Sequence, residues 1–244
     1  MNTTHVDVLA IGAHPDDIEM SMGGTVAKLV AEGKRVALVD CTRGEMGSRG
    51  TREIRDAESV AAATILGASY RENLDMPDGF ITQSDENVER LIRVIRAYRP
   101  RIMVFNPAFE RHPDHEQVHR LCRTAYFKSG MSKIITHHNG IEQAPHRPAQ
   151  IFTYIQSYHQ EPDFAVDISD FFDIKIASIE AHASQVFVQG GGQSNEPQTL
   201  ISTPGFMEML RMRDRYLGEQ TGVRFAEGFK RISMLGIPTM SIWL

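Results

Sequence analysis

The sequence predicts an α/β protein: a largely parallel sheet with helices on both faces. Three observations predict it. Short apolar runs recur at Val6–Ala13, Arg35–Thr42 and Arg101–Asn106, the pattern of strands buried on both faces. Between them lie segments with apolar residues at helical spacing, closed by a glycine or a proline. Strand and helix alternate in this way from Val6 to about Ser129, as right-handed βαβ units do.

Val6–Ala13 is the first buried strand and runs into a His-Pro. Ile18–Glu32 carries Met22, Val26, Leu29 and Val30 on helical spacing and stops at Gly33. Arg35–Thr42 is the second strand. Glu53–Leu66 is alanine-rich and amphipathic, and Gly67 terminates it. Asp85–Tyr98 places Val88, Leu91, Ile92 and Ile95 on one face; Pro100 ends it, and Arg101–Asn106 is the next strand. The second half is less regular. His137–Pro148 reads as a polar loop, Gln150–Gln156 and Phe164–Ile168 as strands, and Phe171–Val186 as a helix. Gln189–Ser194 (QGGGQS) reads as a flexible surface segment rather than a phosphate cradle. Pro204–Gly222 is a late helix, followed by a short strand at Phe225–Phe229. With no internal repeat and no clean linker, residues 1–244 read as a single domain.

Composition narrows the function. A chain of 244 residues with 41% apolar content can bury one sizeable core. Its 26 basic and 31 acidic residues give a net charge of −5, which argues against nucleic acid as a partner. Cys41 and Cys122 are too few for a disulfide framework and read as small, reduced core residues; a ligand role for Cys41, late in its strand, is the lesser reading. The N-terminus lacks a basic segment before its apolar run, and no run approaches a membrane span. The expectation is a soluble, cytoplasmic protein with no membrane partner.

Two clusters carry the chemistry: His14-Pro15-Asp16-Asp17 and His112-Pro113-Asp114-His115. Each follows a buried strand, directly or within a few residues, so both fall on the rim beyond the strands' carboxyl ends, where open parallel sheets bind ligands. A catalytic zinc takes three protein ligands and leaves one position open. Pro15 favours a first helical turn, in which His14 and Asp17 can meet, and His115 supplies a third ligand. Asp16, adjacent to Asp17 but aimed elsewhere, is the candidate general base for the water that a metal activates near neutrality. His112 is a candidate to stabilise the developing oxyanion or to protonate the leaving amine, and Asp114 to orient His112. Singly, each cluster has a structural reading, as a helix N-cap pair or as a turn. Together, with complementary ligands at two strand ends, they favour a metal site. Iron(II) or cobalt(II) suits the same donors.

AHPDDIEMSMGGT and ERHPDHE resemble the two signature motifs of the PIG-L (LmbE-like) zinc-dependent de-N-acetylase family. The resemblance extends to TRGEMGSRGTREIRDAES, to MPDG at Met76–Gly79 and to Phe225–Phe229, and so covers nearly the whole chain. Within the family it is most similar to the bacillithiol-pathway enzymes that deacetylate N-acetylglucosaminyl-L-malate. The resemblance implies a Rossmann-like fold, zinc on His14, Asp17 and His115, Asp16 as base, and His112 as catalytic partner supported by Asp114. It also implies a small amino-sugar substrate and a homo-oligomer such as a hexamer.

For the substrate, Arg55 suits hydroxyls or a carboxylate and Arg111 a malate-like carboxylate, with surface ion pairs as the plainer reading. Gly47–Gly50 reads as a mobile loop over the pocket, with Ser48 and Arg49 as sugar contacts. Phe206 aligns loosely with a pocket tyrosine of related deacetylases, which would leave oxyanion stabilisation to His112 and the metal. His5, His119, His137, His138, His146, His159 and His182 show no partner spacing and read as structural or surface residues. The tail Ser233–Leu244, with the only tryptophan, Trp243, is apolar enough to pack on the core or on a neighbouring subunit. Rival substrates for the same chemistry are chitin-derived sugars and thiol-conjugate amides. A rival class is a non-catalytic sugar- or nucleotide-binding protein, but His-Pro-Asp-Asp stands where such a protein carries a G-x-G-x-x-G turn. Gly23-Gly24 lies inside the first helix and reads as a close-packing site.

Overall fold

The structure, a computed structural model, describes residues 4–188 and 196–234, together with 236 and 239. The glycine-rich Gln189–Ser194 segment and most of the apolar tail, including Trp243, lie outside the described residues. The chain runs β1 (Val8–Gly12), α1 (Asp17–Ala31), β2 (Val36–Asp40), α2 (Arg52–Leu66), β3 (Tyr70–Asn73), α3 (Asp85–Tyr98), β4 (Ile102–Phe105) and α4 (Pro113–Ser129). It continues through β5 (His137–His138), β6 (Ile141–Glu142), β7 (Gln150–Tyr154), β8 (Phe164–Asp167), α5 (Phe172–Glu180), α6 (Pro204–Thr221) and β9 (Ala226–Arg231).

Seven strands form one sheet in the order β3-β2-β1-β4-β7-β9-β8. The first five are parallel, and β9 lies antiparallel between β7 and β8. Chain order reverses between β1 and β4, so the crevice beyond their carboxyl ends is the switch point of a Rossmann-like sheet. Every residue of β1 and β2 is buried, as strands covered on both faces must be. Alternate side chains feed opposite cores: Leu9, Ile11 and Val39 pack with α3 and α4, whereas Val8, Ala10 and Leu38 pack with α1 and α2. Both cysteines are free and buried. Among the described residues no helix is long and apolar enough to cross a membrane.

Three elements differ from the sequence expectation. The edge strand β3 was missed because YREN lacks any apolar alternation; only its inner side is covered. The segment expected to be helical over Phe171–Val186 stops at Glu180, and a turn around the buried His182 replaces its last part. A two-strand hairpin, β5 with β6, folds within the polar loop.

Helix α1 is broken. Met22 has non-helical angles (φ −147°, ψ 21°), which frees backbone groups in mid-helix. The Glu227 carboxylate on β9 accepts from the Gly24 and Thr25 amides at 3.0 and 2.7 Å, capping the second half of the helix. On the other side of the break, Arg213 Nη2 donates to the Met20 carbonyl at 2.5 Å. Glu227 is itself neutralised by the fully buried Lys175, at 2.8 Å, which also meets Asp214. Gly24 does serve close packing: a Cβ there would lie 2.8 Å from Ile168.

Candidate functional site

Both charged clusters reach the switch-point crevice because each is the turn between a central strand and its helix. Gly12 ends β1, and a Cβ on it would stand 3.0 Å from Asp17 Cβ, so the tight turn leaves little room for a larger residue. Asp17 then opens α1. Its Oδ2 accepts from the amides of Ala13 (2.9 Å) and His14 (3.0 Å) and from Asn106 Nδ2 (3.2 Å), while Oδ1 accepts from Gln156 Nε2. Burial alone would raise its pKa, but His115 and His14 outweigh burial and hold the carboxyl well below the usual range.

His14 presents Nδ1 to this carboxylate and to the second cluster. The atoms converge: His14 Nδ1 to His115 Nε2 is 3.2 Å, His115 Nε2 to Asp17 Oδ1 is 3.2 Å, and His14 Nδ1 to Asp17 Oδ2 is 3.8 Å. Ligands held about 2.0–2.1 Å from a tetrahedral zinc lie roughly 3.3 Å apart, so the donors fit such an ion in type and spacing. Behind His14, its Nε2 faces Asp78 Oδ1 at 3.1 Å and Asp114 Oδ2 at 3.4 Å, the backing that metal-ligating histidines use. Burial would lower the His14 pKa, but Asp114, Asp78 and Asp17 together lift it to about 10. A metal ion would take the place of that proton. His14, His112 and His115 also bring donor atoms within 4.8 Å of one another, as do His14, Asp78 and Asp114.

Asp16 is not the helix cap that an Asp-Asp pair suggests. Its side chain makes no capping bond, and its backbone sits at φ 113°, a left-handed conformation costly for a non-glycine residue. Its carboxylate lies 3.7 Å from Arg55 Nη2. Burial pushes the Asp16 pKa up to about 6, with Arg55 opposing and Asp17 reinforcing. That value suits a base working near neutrality.

His112 caps α4, its Nδ1 accepting from the Asp114 amide at 3.2 Å. With Nδ1 used as an acceptor, the ring proton resides on Nε2, which makes that atom a donor. Burial, then His14 and His115, lower the His112 pKa and favour the neutral ring. Asp114 therefore does not orient His112 through its carboxylate, as the sequence reading held. That carboxylate meets His14 and accepts from the Gly79 amide at 2.7 Å, because the cap occupies His112 Nδ1.

A cleft of about 230 Å³ is lined by His14, Asp16, Asp17, Arg55, Arg111, His112 and His115, and also by Gln156, Gln185 and Arg213. A larger cleft, about 470 Å³, beside β3 and α3 contains none of these groups. Arg55 lines this cleft but is occupied: Nη1 donates to the Gly44 carbonyl at 2.6 Å, and Nη2 to the Pro15 carbonyl at 3.1 Å, 3.7 Å from Asp16. It fixes the Asp16 turn rather than reaching out to a ligand. Glu58, three residues on in α2, accepts from Ser184. Arg111 stands exposed at the mouth. Ser48 and Arg49 do not line the cleft, since Arg49 is tied to the carbonyls of Ser184 and Pro197. Phe206 packs with Met20, Ile179, Val186 and Leu210 behind the cleft wall.

The model of the family described as PIG-L: GlcNAc-PI de-N-acetylase matches residues 9–126, the stretch that holds both clusters. Diacetylchitobiose deacetylase of Thermococcus kodakarensis is 30% identical over 233 residues, 91% of this chain and 82% of that protein. The chain belongs to the PIG-L family. PIG-L membership brings the reaction class, enzymatic N-deacetylation of a substrate containing N-acetylglucosamine. Solved structures agree in fold over nearly the whole chain. The conserved protein TT1542 from Thermus thermophilus superposes with a TM-score of 0.83 at 35% identity, covering 96% of this chain and 98% of that one. N,N'-diacetylchitobiose deacetylase from Pyrococcus horikoshii gives 0.77 at 25% identity, covering 97% and 88%.

Sequence reading missed four polar groups that complete this PIG-L site: Asn106, Gln156, Asp78 and Arg213. Asn106 and Gln156 follow β4 and β7, and their position beyond strand ends at the switch point was the available signal. Asp78 lay within the MPDG segment, already singled out but given no role. Arg213 had no signal, because it comes from mid-α6 and bonds to backbone carbonyls of the loop after β7.

Proposed function

We propose that this chain hydrolyses the acetamide of an N-acetylglucosamine conjugate, giving acetate and the free amine, with a divalent metal on His14 Nδ1, Asp17 and His115 Nε2. The convergence of those three donors beside a strained, uncapped Asp16 carries the reading. This set is preferred to the two neighbouring groupings because His112 Nδ1 is engaged in its cap and Asp78 and Asp114 face the opposite nitrogen of His14. Zinc, or iron(II) or cobalt(II) with the same donors, would supply Lewis acidity toward water and the amide carbonyl.

The remaining steps belong to the protein. Asp16 accepts the proton of the attacking water as the new carbon–oxygen bond forms. His112 Nε2–H donates to the carbonyl oxygen as charge develops there. The carbon–nitrogen bond then breaks, and the leaving nitrogen takes up the proton that Asp16 acquired. Arg55 holds the Asp16 turn in place throughout.

Two aglycones are each favoured by an observation. Arg111, exposed at the mouth, suits the carboxylates of N-acetylglucosaminyl-L-malate, the bacillithiol-pathway substrate implied by the resemblance. The similarity to diacetylchitobiose deacetylases favours N,N'-diacetylchitobiose.

The test is amine release from both conjugates and from N-acetylglucosamine, using protein stripped of metal and reconstituted with zinc, beside Asp16→Ala. Activity that returns with zinc and is lost in the variant supports the proposal. Tight binding of one metal without turnover of any of the three overturns the N-acetylglucosamine assignment. Absence of metal binding overturns the mechanism.

A further inference from the structure

The catalytic cleft is small for the conjugates just named. At about 230 Å³ it falls below the roughly 300–1,000 Å³ of pockets that enclose a drug-sized ligand. It has room for the reacting ring and leaves the rest of the substrate at the mouth. Two loops, one after β4 and one after β7, contribute Arg111 and Ser157 to the lining. The loops are clamped together by Glu110, which is only 5% exposed. Its Oε2 accepts from the Ser157 amide at 2.7 Å and from the Tyr158 amide at 3.4 Å. Gln160 Nε2 adds a bond to the Phe109 carbonyl at 3.1 Å.

The clamp sets two aromatic rings side by side, each next in sequence to a residue of the clamp or of the lining. Phe109 and Tyr158 lie 5.1 Å apart between centroids with their planes inclined by 30°. They are nevertheless 65% and 41% exposed. Two large rings held against each other at the surface by a buried carboxylate are poorly explained by packing, since most of Phe109 and a large part of Tyr158 stay wet.

We propose that Phe109 and Tyr158 form an aromatic platform at the mouth of the cleft that seats the apolar face of a second sugar ring while the first reacts inside. The platform rests on the deacetylase reading and extends it to substrate class, since a pyranose presents a face of C–H groups to an aromatic ring, whereas malate does not. Arg111 beside the platform serves hydroxyls of the same ring.

The experiment compares kcat and KM for N,N'-diacetylchitobiose and N-acetylglucosamine in zinc-loaded wild type, Phe109→Ala, Tyr158→Ala and Phe109→Tyr. Phe127→Ala, an exposed aromatic on α4, is the control. The platform is expected to give a preference for the disaccharide in kcat/KM that falls about tenfold in each alanine variant, through KM rather than kcat. Phe109→Tyr restores the preference, and Phe127→Ala retains it. An unchanged preference in both alanine variants overturns the platform. So does a change in oligomeric state by light scattering, because the rings would then belong to a subunit interface.

A second arm reads binding alone, by calorimetry of chitobiose and glucosamine, the amine products, with Asp16→Asn protein and its Phe109→Ala derivative. If wild type deacetylates neither sugar, the functional proposal stands or falls on N-acetylglucosaminyl-L-malate. The platform is then decided by whether Phe109→Ala weakens chitobiose binding more than glucosamine binding.

Discussion

Of the clusters of buried charge against α1, the one at its N-terminus and the one at its break differ in balance. At its N-terminus Asp16, Asp17, Asp78 and Asp114 face Arg55 and the rings of His14, His112 and His115 across an open cleft. At its break, Lys175 is fully buried between Asp214 and Glu227, with Arg213 at 3.3 Å from Asp214 and the Glu227 oxygens on two helix amides. The second cluster is closed: its charges cancel and its donors point at partners. The first is left with anionic excess, and His115 Nδ1 has no hydrogen-bond partner within it. Ion pairs buried for structure are satisfied from within, whereas a site keeps valence for what it binds.

The largest expected effect lies in the open cluster. Asp16→Ala removes the proposed base and none of the proposed metal ligands, so kcat is expected to fall about 10³-fold. Metal content, read by elemental analysis, stays at the wild-type value. A variant that loses its metal as well would show that Asp16 belongs to the ligand set, and the two clusters would differ less than they do here.

Glu227→Ala attacks the closed cluster. It leaves the Gly24 and Thr25 amides uncapped and Lys175 with one partner in a site without water access, so about 3–5 kcal/mol of stability should be lost. Urea unfolding reads this as a lower midpoint at constant slope. A loss below about 1 kcal/mol would mean that the cap is replaceable and that the break in α1 is held by packing alone.

The same contrast explains how much could be read from sequence. The open cluster was legible because its ligands come from two contiguous four-residue turns, each after an apolar strand. The closed cluster was not, because Lys175, Asp214 and Glu227 come from α5, α6 and β9 and share no local pattern. Edge strand β3 was hidden for a related reason: periodicity reports burial, and YREN is half-covered at most. Arg55 shows the limit on roles. Its place near the site was legible, but only coordinates reveal that backbone carbonyls already occupy its guanidinium.

Gly24→Ala probes the join between the broken helix and its neighbours. The new Cβ would stand 2.8–2.9 Å from three carbons of Ile168, a buried side chain that cannot swing into solvent. Overpacking of this kind costs about 1–3 kcal/mol, less than opening the ionic cluster. Ile168→Val with Gly24→Ala should recover part of the loss. Full additivity of the two changes in denaturant unfolding would show that the contact is not the cause.

The smallest expected effect is a pH dependence that originates outside both clusters. His119 on α4 is 7% exposed, and its Nδ1 lies 3.0 Å from the Asn106 carbonyl. Burial lowers its pKa, Arg123 and Arg120 add to this, and the Asn106 carbonyl and Glu116 oppose. The unfolded chain, with a histidine pKa near 6.5, therefore binds this proton more readily than the folded one. Its contribution to stability is complete above about pH 6.5 and is lost as pH falls through the lower folded value. His119→Asn keeps a polar contact but cannot titrate, so the variant's unfolding free energy should change less than wild type between about pH 7.5 and about pH 5.5. Parallel profiles would assign the acid sensitivity to other groups, with the buried carboxylates and imidazoles of the open cleft the first to test.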